Sequence, residues 1–132
     1  MIAEGLIAHL VGDYVLQSHW MATEKVKRWL PALAHGLAYT LPFLLITRSP
    51  WALLIIGGTH AALDRYRVAK YVNWAKNNLL APKPYRVRLS EAVANGGFPA
   101  AVPTGLATTL LIIADNTMHI AINSGALMWL GR

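Results

Sequence analysis

The sequence predicts an all-α fold, a four-helix transmembrane bundle with both termini on the outer side and an amphipathic cytoplasmic extension after the third helix. Three observations predict it. Hydrophobic residues make up 55% of the chain and charged residues only 14%, against about a quarter charged in soluble domains. Four apolar stretches lie between turn signals, each near the roughly 20 residues that cross a hydrocarbon core. The cations gather on the connections that would share one side of such a bundle. With 132 residues there is room for a single domain spanning 1–132.

The first expected span, 2–20, is the least hydrophobic of the four and carries His9, Asp13 and Gln17. It opens MIAEGLIAHL, without a basic n-region or a small-residue cleavage site, so it is not read as a removable signal peptide. A basic connection follows, with Lys25, Lys27 and Arg28. The second span, 29–47, holds no Asp, Glu, Lys or Arg. Pro31 falls in its first turn, where a missing N–H is tolerated, and Pro42 inside it predicts a kink. Arg48, Ser49 and Pro50 make a tight turn into the third span, 51–66.

Beyond residue 66 the helical pattern continues but its character changes. Val68, Val72, Ala75 and Leu79 form one apolar stripe, with Lys70, Asn73, Lys76 and Asn77 elsewhere on the wheel. Such a helix is expected to leave the membrane and lie along its surface. The rest of the connection, 67–103, is mostly loop, marked by APKP, NGG, Pro99 and Pro103, with a short helical turn at 90–94. The fourth span, 104–130, is longer than a perpendicular crossing needs, which predicts a tilt.

Of the twelve cations, all but Arg48 and Arg132 fall on the first and third connections. Positive-inside placement therefore predicts a multi-pass protein of the inner cell membrane with its termini outside. Trp20 and Trp29 flank the first basic connection, while Trp51 and Trp129 stand near the opposite face, as aromatic belts do. The net charge of +6 is thus read as a topology signal and a contact for anionic lipids, not as a nucleic-acid surface. Expected partners are the bilayer, anionic lipids at the cytoplasmic face and, with oligomeric state left open, a second copy of the chain.

The chemistry lies in a polar layer. His9 with Asp13, His35 with Tyr39, His60 with Asp64, and Asp115 with His119 are each spaced i,i+4, one turn apart on one helix face. Counted from the outer ends at about 1.5 Å per residue, all four pairs fall in one slab of the bilayer. Ionisable groups at that depth are costly unless paired, so each is expected to face the bundle interior. Imidazole plus carboxylate is a ligand set for a divalent metal, zinc first, with manganese or iron as alternatives. The candidate ligands are His9, Asp13, His35, His60, Asp64, Asp115 and His119. Gln17 and Tyr39 are candidates to support them, and Asp13 or Asp64 is the candidate general base.

Two other readings stay open: a proton or ion relay in a coupled carrier, and hydrogen-bonding glue between helices in a non-enzymatic envelope factor or structural subunit. Asn116 and Asn123 suit helix contacts, and Gly57, Gly58 and Gly105 suit close packing. No cysteine is present, which excludes disulfides, thiolate metal sites and cysteine nucleophiles. No G-x-S-x-G, Walker or Rossmann signature appears.

LIAHLVGDYVLQSHWMATEK, ALAHGLAYT, THAALDRY and ADNTMHI together resemble the domain-of-unknown-function 3307 family, small multi-helix membrane proteins of bacteria and their phages. The most specific part is H-x-x-G-D-x-x-x-Q. The resemblance carries over to His9, Gly12, Asp13, Gln17, His35, Tyr39, His60, Asp64, Asp115 and His119, with Asn116 standing where a glutamine is expected in relatives. The family brings no established activity; by analogy its helices are similar in style to membrane-bound metal-dependent hydrolases, and with the metal layer the leading expectation is hydrolysis of a lipid or lipid-linked substrate.

Overall fold

The computed structural model describes residues 2–132 and, among them, contains helices and no strands. Seven α-helices follow one another: α1 Ile2–Leu10, α2 His19–Glu24, α3 Trp29–Thr40, α4 Pro50–Tyr66, α5 Ala69–Leu79, α6 Leu89–Ala94 and α7 Thr104–Leu130. They belong to two compact units. One comprises the chain up to Tyr66 together with His119–Arg132, and the other is Arg67–Met118.

The expected first span is not one straight helix. After α1 the backbone widens into a π-helical segment, Val11–Val15, closed by a bond of 3.0 Å from the Leu16 N–H to the Val11 carbonyl. Gly12 makes this possible. A Cβ there would stand 2.8 Å from both Cδ2 and the carbonyl oxygen of Tyr39, so only glycine lets the two backbones meet. The chain then breaks, and the Ser18 hydroxyl accepts from the Met21 N–H at 3.3 Å to cap α2. In the connection that follows, the Lys27 ammonium hydrogen-bonded to Glu24 holds that carboxyl below its ordinary range. Arg65 donates to the carbonyls of Val26 (2.6 Å) and Lys27 (3.1 Å) and so ties the connection to the end of α4.

Pro42 ends α3 rather than merely kinking it: the chain tightens into a 3-10 segment, Leu41–Leu45. Pro50 occupies the first position of α4, where its fixed φ suits a helix start. Helices α3 and α4 approach closely because a Cβ on Gly36 would lie 2.9 Å from the Gly57 carbonyl, and one on Gly57 would collide with Thr40 Oγ1. At Gly58 and Gly105, expected to serve packing too, a would-be Cβ meets no other part of the described residues within 4 Å beyond its own stretch of helix backbone. The core of this unit is Ala8, Tyr39, Phe43, Ile56, Ala126 and Leu127.

The Arg67–Met118 unit begins at Arg67, whose φ of 50° breaks the helix that the pattern carried through. The polar residues of α5 turn inward: Asn73 donates to the Gly96 carbonyl, Asn77 to that of Gly97 and Trp74 to that of Val87, each at 3.0 Å. Gly97, at φ 92°, meets the Lys70 carbonyl so closely that a Cβ would not fit. Val72 and Leu79 of the apolar stripe point outward, Leu79 being 80% exposed.

Helix length does not support the four-span expectation. Among the described residues only α7 is long and apolar enough to cross a membrane; Trp29–Leu45 is shorter, and α4 has 17 residues, about 26 Å at 1.5 Å per residue. The architecture is all-α with one span-capable helix. It does not support a four-helix transmembrane bundle, a multi-pass chain or outer termini.

Candidate metal centre

Three elements bring four side chains together. The π segment turns Asp13 inward, α3 supplies His35, and α4 supplies His60 and Asp64 one turn apart. All four are buried, and one ligand atom from each lies within 4.8 Å of the others. His35 Nε2 is 3.2 Å from Asp13 Oδ1 and 3.3 Å from Asp64 Oδ2. His60 Nε2 is 2.9 Å from His35 Nε2 and 3.3 Å from Asp64 Oδ2. From α7, His119 Nε2 lies 3.3 Å from Asp64 Oδ1.

The pattern of distances matters more than any single one. His35 Nε2 has three close neighbours, two carboxylate oxygens and an imidazole nitrogen, yet it carries at most one N–H. Hydrogen bonding cannot satisfy them pairwise. Atoms oversubscribed in this way are converging on a shared point, as ligands of an ion do, and two imidazoles with two carboxylates are a donor set for zinc, manganese or iron.

The rings are held by packing. Tyr39 stacks on His60, centroids 3.6 Å apart and planes at 8°. Among the described residues the buried Nδ1 atoms of His35 and His60 have no hydrogen-bond partner, so the customary second hydrogen bond of a metal-bound imidazole is not made at either by those residues.

Other expected members are placed differently. His9 is drawn away from the cluster: its Nδ1 lies 2.7 Å from the Tyr39 hydroxyl, so His9 orients the tyrosine rather than joining the four. Tyr39, a candidate to support the ligands, stacks on one of the cluster's imidazoles and accepts from Asn123 Nδ2 at 2.6 Å. Gln17 donates to the Asp13 carbonyl at 3.2 Å. Asp115 precedes His119 by one turn on α7, is half-buried, and falls in the Arg67–Met118 unit. Asn116 bonds within its own helix, to the Ile112 carbonyl.

Sequence reasoning missed Lys25, counted there as a topology charge. Its Nζ lies 2.6 Å from Asp64 Oδ2 and 2.6 Å from Gln17 Oε1. The break at residues 16–18 folds the chain back and returns Lys25 to the cluster. Helical spacing cannot reveal that, although the eight-residue interval from Gln17 could be tested once a turn is assumed.

A helical protein with a buried histidine and aspartate cluster able to hold a metal ion is the class that fold and site define. A family model described as "Protein of unknown function (DUF3307)" matches residues 1–85, and the chain belongs to that family. The match contains Asp13, His35, His60 and Asp64, while His119 lies beyond it. The chain matches no curated protein and no solved structure.

Proposed function

We propose that this is a membrane-embedded protein that binds a divalent metal, zinc first, between Asp13, His35, His60 and Asp64, and uses it to hydrolyse a lipid or lipid-linked substrate. The observation that carries the reading is the convergence of four buried donor atoms within 4.8 Å. A metal in such a site lowers the pKa of a bound water toward neutrality. The remaining roles fall to the chain: Asp64, against three imidazoles, acts as ligand only, while Asp13 would hold the ion through Oδ1, the oxygen beside His35, and take a proton on its other oxygen.

Several features favour a lipid setting. Only 11% of the most apolar stretch of α7 is covered by protein, unlike the core helix of a soluble domain. Leu37 and Leu45 on the second segment are 72% and 90% exposed. An open apolar groove of about 450 Å³ runs between α3 and α4, lined by Leu33, Leu37, Leu53 and Leu54 among others, and suits an acyl chain. In this reading the shorter helices cross with local thinning of the bilayer, the basic connections face the cytoplasm and anionic lipids, and the termini lie outside.

One observation favours the non-enzymatic alternative: His35, His60 and His119 all contact Asp64 directly at 3.3 Å, as interhelical glue would. Metal analysis of detergent-purified wild type beside His60→Ala and Asp64→Ala separates the two. The metal reading expects stoichiometric metal in the wild type and its loss in both variants. Glue expects no metal in any of them, with both variants less stable.

A further inference from the structure

The cluster contains a cation of its own. Lys25 Nζ sits on Asp64 Oδ2 at 2.6 Å, and that same oxygen lies 3.3 Å from His35 Nε2 and 3.3 Å from His60 Nε2. The ammonium thus occupies the carboxylate atom that faces the converging nitrogens. Its second contact, 2.6 Å to Gln17 Oε1, holds it there, and the side chain is only 15% exposed. Exposed ion pairs contribute little, but a charge withdrawn from water this far needs its partner.

Charge balance gives the contact a consequence. Asp13 and Asp64 bring two negative charges into a buried space, and Lys25 offsets one of them. A divalent ion offsets both. With the ion present, the ammonium becomes a surplus positive charge against a dication on a shared carboxylate, in surroundings that screen poorly. Lysine is suited to leave, being a point charge on a flexible four-carbon stem. It has somewhere to go, since its neighbours Lys27 and Arg28 in the same connection are exposed.

We propose that Lys25 is a tethered counter-ion that closes the metal-free site and is displaced from Asp64 when a divalent ion binds. It is therefore a regulator of loading, not a catalytic residue. This rests on the metal reading above and adds to it that the chain competes with its own metal.

The test is zinc titration of the detergent-purified full chain, comparing wild type with Lys25→Met, Lys25→Gln and Asp64→Ala. Glutamine keeps hydrogen-bonding capacity without charge, so both Lys25 variants are expected to bind with about tenfold lower Kd, one decade per competing interaction of about 1.4 kcal/mol. Equal or weaker zinc binding in the Lys25 variants, with wild type binding and Asp64→Ala not, overturns the counter-ion role and leaves the metal site standing. No binding by any of the four proteins removes both. A second measurement needs no variant: reductive methylation of Lys25 in the wild type, followed by peptide mass spectrometry, is expected to rise on zinc addition while Lys27 stays constant. An unchanged Lys25 rate in zinc-loaded protein overturns the proposal.

Discussion

Tyr39 lies flat on His60, with ring centroids 3.6 Å apart and planes 8° from parallel, and its hydroxyl is held by Asn123 at 2.6 Å and faces His9 Nδ1 at 2.7 Å. One residue therefore joins the two layers of the interior: the ring fixes an imidazole of the cluster, and the hydroxyl gathers polar groups from α1 and α7. Tyr39→Phe keeps the ring and removes the hydroxyl. It is expected to lower stability by about 1–3 kcal/mol, the cost of stranding buried polar partners, while metal binding persists. Tyr39→Ala is expected to impair both. Thermal unfolding and zinc titration in detergent read the two effects separately.

Gly12 and Gly58 make a second pair of opposites. A Cβ on Gly12 would stand 2.8 Å from Tyr39, whereas one on Gly58 would meet nothing within 4 Å. Gly12→Ala is expected to cost about 1–3 kcal/mol by overpacking and, because Asp13 is the next residue, to weaken metal binding. Gly58→Ala should stay within about 0.5 kcal/mol of wild type. Equal effects of the two changes would show that the π segment is not held by this contact.

The absence of cysteine makes topology measurable with single-cysteine variants. In the proposed membrane arrangement, Arg48→Cys reacts with an impermeant maleimide on intact cells and Lys76→Cys reacts only after the membrane is opened. Labelling of both positions from outside, or the reverse pattern, contradicts the proposed orientation.

The extent to which these features were legible follows from what spacing encodes. Helix α7 ran over the expected 104–130 and α4 began one residue before the expected 51, because Pro103 and Pro50 punctuate both strongly. Period 3.6 also pairs His60 with Asp64 on α4, whereas the approach of His35 is a contact between α3 and α4. Asp13 reaches these residues by a route that spacing does not describe: its direction comes from a π turn, whose widened geometry no i,i+4 rule contains. The same turn leaves His9 facing Tyr39 instead of the cluster. Lys25 was invisible because its approach depends on a chain reversal at Ser18. On α5, Asn73 and Asn77 lie off the apolar stripe, and there they satisfy the carbonyls of Gly96 and Gly97; hydropathy cannot distinguish an amide exposed to water from one bonded to backbone.

X-ray absorption at the zinc edge of metal-loaded, detergent-solubilised protein tests the central claim most directly. The account expects a first shell of nitrogen and oxygen at about 2.0–2.1 Å, with the outer-shell scattering of two imidazoles that falls to one in His35→Ala. A shell of oxygen alone with no imidazole signal, or a spectrum indifferent to His35, would contradict it.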